Sequence, residues 1–148
     1  DVKILRVVSI NVNGLRSSVT KGLLEWLEQS DADVVCMQES RITHEQWTDK
    51  FKPEGWYTHL FPAERAGYAG TAIYSRLPFI TVKNGLGFEL ADSQGRFISA
   101  EFDLFSTVTF DGLSGAKICT PIEFPPLKSI LPLLINLYSF PFTVSVFS

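Results

Sequence analysis

Two apolar, β-branched runs, Ile4 to Val12 and Val34 to Gln38, constrain this chain more than any other feature. Runs of this length, rich in Val and Ile, read as central strands. Between them Val19, Leu23, Trp26 and Leu27 recur at helical spacing, which predicts an amphipathic helix over about Val19 to Gln29. Asp31-Ala32-Asp33 supplies the turn into the second strand. Strand, helix and strand joined by short loops predict a right-handed crossover unit. Each strand ends in a polar signature. The first is Ile10-Asn11-Val12-Asn13-Gly14-Leu15-Arg16 and the second is Val35-Cys36-Met37-Gln38-Glu39-Ser40-Arg41. In open α/β sheets ligands collect beyond the carboxyl ends of strands. A carboxylate with carboxamides and arginines is chemistry suited to a divalent metal and a phosphate.

The remaining elements are shorter. Thr43-His44-Glu45-Gln46 has the form of a capping box and predicts a short helix to about Lys50. Tyr57 to Phe61, Thr71 to Ser75, Pro78 to Val82 and Arg96 to Phe102 are strand-like, the last with only partial alternation. At 148 residues the chain is one domain's worth. A hydrophobic fraction of 45% and a charged fraction of 20% exclude a disordered chain. A net charge of −3 excludes a broad basic surface, so nucleic-acid binding must rest on a local cluster. Two cysteines, Cys36 and Cys119, make no disulfide framework, and Cys36 in its apolar run is expected to be a buried thiol. Nothing at the start has the form of a signal peptide, which makes a cytoplasmic setting the expectation.

Charge divides the chain into a body and a tail. Residues 1–103 hold 11 Lys/Arg and 14 Asp/Glu, whereas residues 104–148 hold two of each and six of the twelve phenylalanines. Thr107 to Phe110 is a possible strand. Pro121, Pro125, Pro126, Pro132 and Pro141 punctuate the rest, and proline interrupts helices and central strands, so a regular sheet is not expected there. Ser129 to Ser148 has the length of a membrane span, but Pro132, Asn136 and Pro141 lie inside it, and no membrane association is expected. The organisation expected is a partial domain over 1–103 followed by a divergent apolar tail over 104–148, frame-shifted or disordered.

Several side chains are candidates for a site, each with a plainer alternative. Asn11 and Asn13 point to the same side of an extended strand and can orient a water, a phosphate oxygen or a carboxylate. Asn13-Gly14 is equally turn chemistry, whereas a carboxamide at Asn11 inside a strand needs partners. Glu39 at the end of a buried strand must be solvated, paired with a cation such as Arg41, or bound to a metal. Arg16 and Lys21 flank the start of the predicted first helix, where they form either a phosphate clamp or two ordinary surface cations. Tyr68 lies between Gly67 and Ala69-Gly70, small neighbours that allow close approach to a ligand or simply make a turn. His44 and His59, the only histidines, have no carboxylate placed to make a catalytic pair.

Taken together, Ser9 to Arg16, Gln38 to Arg41, Gly67-Tyr68-Ala69-Gly70 and Gln94 to Phe102 resemble the exonuclease III family of class II apurinic/apyrimidinic endonucleases, within the endonuclease/exonuclease/phosphatase superfamily. The resemblance runs from about Lys3 to Asp103. It implies an α/β fold, the N-terminal half of a four-layered α/β sandwich of the DNase I-like kind. It implies hydrolysis of double-stranded DNA 5′ to abasic sites and trimming of 3′ ends, with Mg²⁺, or Mn²⁺ in its place, by a monomer. By the same resemblance Glu39 is the metal ligand, Asn11 supports the site through hydrogen bonds and Asn13 lies near the metal. Arg16, Ser17 and Lys21 match contacts to DNA phosphates, Gly67 and Tyr68 match contacts to the damaged duplex, and Arg96 is a further DNA-side candidate.

The second half departs from that family. Asp111-Gly112-Leu113 stands where the resemblance calls for Asp-x-Asn, and no histidine follows His59. Groups that orient the attacking water and stabilise the transition state in such enzymes have no counterpart in the tail. The expectation is therefore a nuclease by descent whose chain is inactive alone. The alternatives are a non-catalytic phosphate- or nucleic-acid-binding fragment and an aggregating product without function.

Overall fold

A computed structural model describes residues 6–87, 89–104, 116–119, 131–138 and 145–147. Strand β1 (Arg6–Asn11) runs parallel to β2 (Val34–Gln38), in register from Val7↔Val34 to Asn11↔Gln38. β4 (Thr71–Ser75) lies antiparallel on the other side of β2, and β3 (Tyr57–Phe61) pairs with β4 at the sheet edge. Between β1 and β2 the chain forms α1 (Leu15–Thr20) and α2 (Leu23–Gln29). A second, antiparallel sheet holds β5 (Phe79–Asn84) and β6 (Phe97–Leu104), with α3 (Glu89–Asp92) in their connection. Three further strands complete the two sheets: β7 (Ala116–Cys119), β8 (Leu131–Tyr138) and β9 (Ser145–Phe147). The strand orders are β3-β4-β2-β1-β9 and β5-β6-β8-β7.

Strand periodicity assigns the two cores. Successive residues of β2 face opposite sides. Val34 and Cys36 join Val7, Ile73, Ile98, Ala100 and Phe102 between the sheets, while Val35 and Met37 join Leu15, Leu23, Leu27, Ala72 and Tyr74 under the helices. The layers are thus helices, first sheet, second sheet. All five residues of β2 are buried, which is why its sequence is a continuous apolar run rather than an alternating one.

Four local expectations need correction. The helix expected over Val19 to Gln29 is two short helices, because Gly22 takes a left-handed φ of +102° and its N–H bonds back to Val19 O at 3.1 Å, ending α1. Arg16 and Lys21 therefore do not flank a helix start. Arg16 lies in the first turn of α1 and Lys21 caps its C-terminus.

The capping box does form, with Gln46 N–H donating to Thr43 Oγ1 at 3.3 Å and Thr43 N–H to Gln46 Oε1 at 3.2 Å. It opens a single turn and then a 3₁₀ turn at Asp49–Phe51 rather than a helix. Tyr74 holds that segment instead: its hydroxyl donates to Phe51 O at 2.6 Å and accepts from Trp47 Nε1 at 3.3 Å.

The third correction concerns the tail, where Pro132 lies in β8, a central strand. Among the described residues β7 pairs only with Leu134 to Leu137 of β8, so the neighbour described for Pro132 is Asp103 of β6. β9, also from the tail, borders β1. Thr107 to Phe110 lies outside the described residues. The fourth is the start of β5, at Phe79, one residue later than expected and running on to Asn84. No helix among the described residues is long and apolar enough to cross a membrane.

Burial pushes the Cys36 thiol from its ordinary 9.0 up to about 12. It also pushes the Tyr74 phenol from 10.0 up to about 12, against a smaller lowering from its bond with Trp47. Both groups stay neutral in the folded chain where the unfolded chain has ionised. Their contribution to stability is complete below about pH 9 and is lost as pH rises toward about 12. Tyr74→Phe is expected to cost about 1–3 kcal/mol near neutral pH, since Phe51 O and Trp47 Nε1 lose their partner. The variant should also lose less stability than wild type between about pH 8 and about pH 11. Urea unfolding at the two pH values measures both effects, and parallel losses would contradict the assignment.

Candidate active site

β1 and β2 end at the same level, and the loops that leave them are joined by backbone hydrogen bonds. Val12, Gly14 and Leu15 N–H donate to Gln38, Glu39 and Ser40 O at 3.0, 2.8 and 2.8 Å. Ser40 and Arg41 N–H donate in turn to Gly70 and Ala69 O at 3.1 and 2.9 Å. Gly70 N–H reaches Gln94 O at 3.1 Å, and Thr71 Oγ1 donates to Gly95 O at 3.0 Å. Four segments separated in sequence, beginning at Asn11, Gln38, Gly67 and Gln94, thus form one continuous row at one end of the sandwich.

A polar rung underlies that row. Asn11, Gln38 and Thr71 are directly opposite one another across β1, β2 and β4. By strand alternation they share the inter-sheet side with Val7, Val34, Cys36 and Ile73, so the apolar core ends in carboxamide and hydroxyl groups. Gln38 is wholly buried; its Nε2 donates to Ser9 Oγ at 2.8 Å, while its Oε1 has no hydrogen-bond partner among the described residues. Ser40 Oγ is likewise buried without one. Asn11 Oδ1 accepts from Asn13 N–H at 2.9 Å, an Asx turn that supports the left-handed φ of +47° at Asn13. Asn13 therefore serves the turn, and Asn11 is the partner that fixes it.

Glu39 sits just past β2 with φ +53°, and Arg41 follows at φ +50°. The strand geometry has ended there, so the alternation that would separate neighbouring side chains no longer applies. Arg41 Nη2 lies 2.7 Å from Glu39 Oε2, making the ion pair that strand spacing left uncertain. Arg16 and Ser17 are exposed on the first turn of α1, whose start is held against Glu39 and Ser40. Lys21 is about 7.5 Å further along the axis and does not share their turn. Gly67 (φ +73°) and Tyr68 are exposed, with the Arg65 guanidinium 5.3 Å from the Tyr68 ring centroid. Arg96 is half-buried and its Nε donates to Gln94 Oε1, so it helps to hold the fourth segment. His44 is exposed and His59 lies 2.6 Å from Asn84 Oδ1, away from this row.

Sequence reasoning passed over Gln38, Ser40 and Gly70. The available signal was a carboxamide closing an otherwise apolar five-residue strand, a group that must find partners. The donors at this end are all oxygen: the Glu39 carboxylate and the carboxamides of Asn11 and Asn13. Such donors fit a hard cation like Mg²⁺. Among the described residues no group of three His, Cys, Asp or Glu is placed to hold a metal. An ion here would keep several waters and take further oxygens from a bound phosphate.

Gly70 is fixed by its surroundings. Its φ is +86°, and a Cβ there would lie 2.5 Å from Ser40 Oγ. Gly70→Ala is expected to destabilise by about 1–3 kcal/mol through backbone strain and this clash. Ser40→Ala removes the hydroxyl and should recover part of the loss in the double variant. A double-mutant cycle by urea unfolding reads the coupling; strict additivity would show that the two residues do not touch.

The sequence profile of the Endonuclease/Exonuclease/phosphatase family matches residues 8–131, a stretch that runs on past Asp103. An exodeoxyribonuclease from Bacillus subtilis is 37% identical over 100 residues, 67% of this chain and 39% of that protein. An AP endonuclease from Archaeoglobus fulgidus superposes with a TM-score of 0.58 and 27% identity, covering 66% of this chain and 37% of the other. The Xenopus laevis APE2 catalytic domain superposes over 90% of this chain and 45% of its own length, with a TM-score of 0.65 and 21% identity, which speaks to the fold alone. The α/β sandwich expected from the sequence is thus the fold of these proteins, and the chain spans less than half the length of each. On the profile match, the four motifs in order and the shared fold, this chain belongs to the endonuclease/exonuclease/phosphatase family, its matching segment being of the exonuclease III-like, AP endonuclease kind.

Proposed function

We propose that this chain carries the metal- and phosphate-positioning part of a DNA-repair nuclease. The proposed reaction is Mg²⁺-dependent phosphodiester hydrolysis on double-stranded DNA, 5′ to abasic sites, with trimming of 3′ ends. The observation that supports it best is the hydrogen-bonded row that gathers all four motif segments at one end of the sandwich. Under this reading Glu39 is the carboxylate that holds the ion and Asn11 keeps the neighbouring turn in place. Arg16, Ser17 and Lys21 receive backbone phosphates along α1, Gly67 and Tyr68 meet the duplex surface, and Arg96 braces the loop beside them. When bound, the cation supplies positive charge against the developing negative charge of the phosphoryl transition state. The protein's share is orientation: backbone-locked loops hold Glu39 and the cations in place before substrate arrives.

A second reading, a non-catalytic phosphate- or nucleic-acid-binding fragment, is favoured by one observation. Glu39 is the carboxylate of this row, and it is engaged by Arg41. Both readings lead to the same expectation for the 148-residue chain alone. Its incision of an abasic duplex with Mg²⁺ should be at background level, since losing members of a catalytic set removes most of the rate. Robust incision that Glu39→Ala abolishes would overturn this. Calorimetric titration with Mg²⁺ is expected to show weak binding that Glu39→Gln removes, and equal binding by the two proteins would exclude Glu39 as the ligand. Salt-dependent binding of a duplex separates a chain that recognises DNA from one that does not.

A further inference from the structure

Glu39 and Arg41 touch through a single contact, Arg41 Nη2 donating to Glu39 Oε2 at 2.7 Å. It is not the two-pronged fork that gives arginine–carboxylate pairs their strength. Glu39 Oε1 and the remaining N–H groups of the Arg41 side chain have no hydrogen-bond partner among the described residues. The two side chains are 32% and 44% exposed. An exposed pair of this kind shifts an equilibrium only about two- to fivefold. The backbone beneath is tightly held by contrast, with Glu39 O, Ser40 N–H and Arg41 N–H all bonded to neighbouring loops. A loose side-chain contact therefore stands on a rigid base.

We propose that Arg41 is a metal-gated phosphate contact: its guanidinium holds the Glu39 carboxylate until a divalent cation takes that carboxylate, and then turns to a DNA phosphate. The proposal rests on the nuclease reading for the identity of both ligands. A guanidinium and a dication on one carboxylate repel each other, so the arrival of one weakens the hold of the other. The released guanidinium keeps a planar set of donors matched to phosphate oxygens. Arg41 is bonded through its backbone to Ala69, the neighbour of exposed Tyr68, whose ring the Arg65 guanidinium covers, so it stands beside the face where a phosphate would be received. Metal and DNA then strengthen each other's binding, because linkage is reciprocal.

The test uses the whole chain as wild type, Arg41→Gln and Arg41→Lys. Mg²⁺ is titrated by calorimetry and Mn²⁺ by electron paramagnetic resonance. Arg41→Gln is expected to bind both cations about two- to fivefold more tightly than wild type, the factor for losing an exposed ion pair. At about 1 M salt that difference should shrink. Arg41→Lys retains the charge and should stay near wild type. Fluorescence anisotropy with a short abasic duplex, with and without Mg²⁺, supplies the second arm. Wild type is expected to gain DNA affinity on adding Mg²⁺, and Arg41→Gln to lose most of that gain. Unchanged or weaker cation binding by Arg41→Gln overturns the latch. An equal Mg²⁺-induced gain in both proteins overturns the hand-over to phosphate. If wild type binds no duplex at all, the DNA reading fails and the hand-over falls with it, while the cation arm still decides the latch.

Discussion

The parallel pairing of β1 with β2 is the constraint on which the rest of the structure depends. Because Asn11 and Gln38 stand opposite each other at the ends of these strands, the loops that follow leave the sheet side by side. Their backbones then satisfy each other, with Val12, Gly14 and Leu15 donating to Gln38, Glu39 and Ser40. A one-residue slip in this register would turn Val34 and Cys36 out of the inter-sheet core and move Asn11 away from Gln38. The same slip would separate the carbonyls from their donors. Core and site therefore share one determinant, and the buried β-branched residues that fix the sheet also fix the polar loops.

Backbone strain is concentrated where that pairing ends. The non-glycine residues with positive φ among those described are Asn13, Glu39, Arg41 and Ala69, and all four lie in the connected loops. Left-handed backbone at such residues costs on the order of 1 kcal/mol each. The loops keep it because hydrogen bonds at Asn13 N–H, Glu39 O, Arg41 N–H and Ala69 O tie these turns to one another, and they rest on a core with Leu15, Met37, Leu60 and Ile73 fully buried. Strain held in this way gives fixed side-chain origins at Glu39 and Arg41 on loops that would otherwise be mobile. The absent side chains at Gly70 and Gly95 belong to the same device. A Cβ at Gly70 would meet Ser40 Oγ, and one at Gly95 would run into the Phe61 carbonyl.

Much of the body was legible from one-dimensional pattern. β2, β3 and β4 begin and end where the sequence pattern places them; β2 and β4 are buried on both faces and leave an unbroken signature, whereas β3 at the sheet edge is only partly buried. Periodicity was less informative for the helices. The apolar stripe from Val19 to Leu27 is continuous, but Gly22 adopts a conformation that a stripe does not report, and the one expected helix is two. The capping box at Thr43 and Gln46 made its reciprocal bonds without a helix to follow, since the Tyr74 hydroxyl of β4 holds the next turn. The prolines of the tail misled in another way. Pro132 lies in β8 opposite Asp103 of β6, while the described residues of β7 pair only with Leu134 to Leu137, and this register is not written in the sequence of β8.

The sequence by itself determined the α/β character, the crossover unit and the polar residues that close the strands. These depend on local composition and spacing. Tertiary structure decided which of those residues meet. Gly70 comes to Ser40, and Gln94 to Gly70, because β4 pairs with β2 and the second sheet folds back onto the first, contacts between residues far apart in the chain. It also decided that Gln38 and Ser40 are buried with an unpartnered atom each, and that Arg41 reaches Glu39. Those facts follow from φ angles past the end of β2 and from the packing of two sheets, and neither is encoded in the spacing of residue types along the chain.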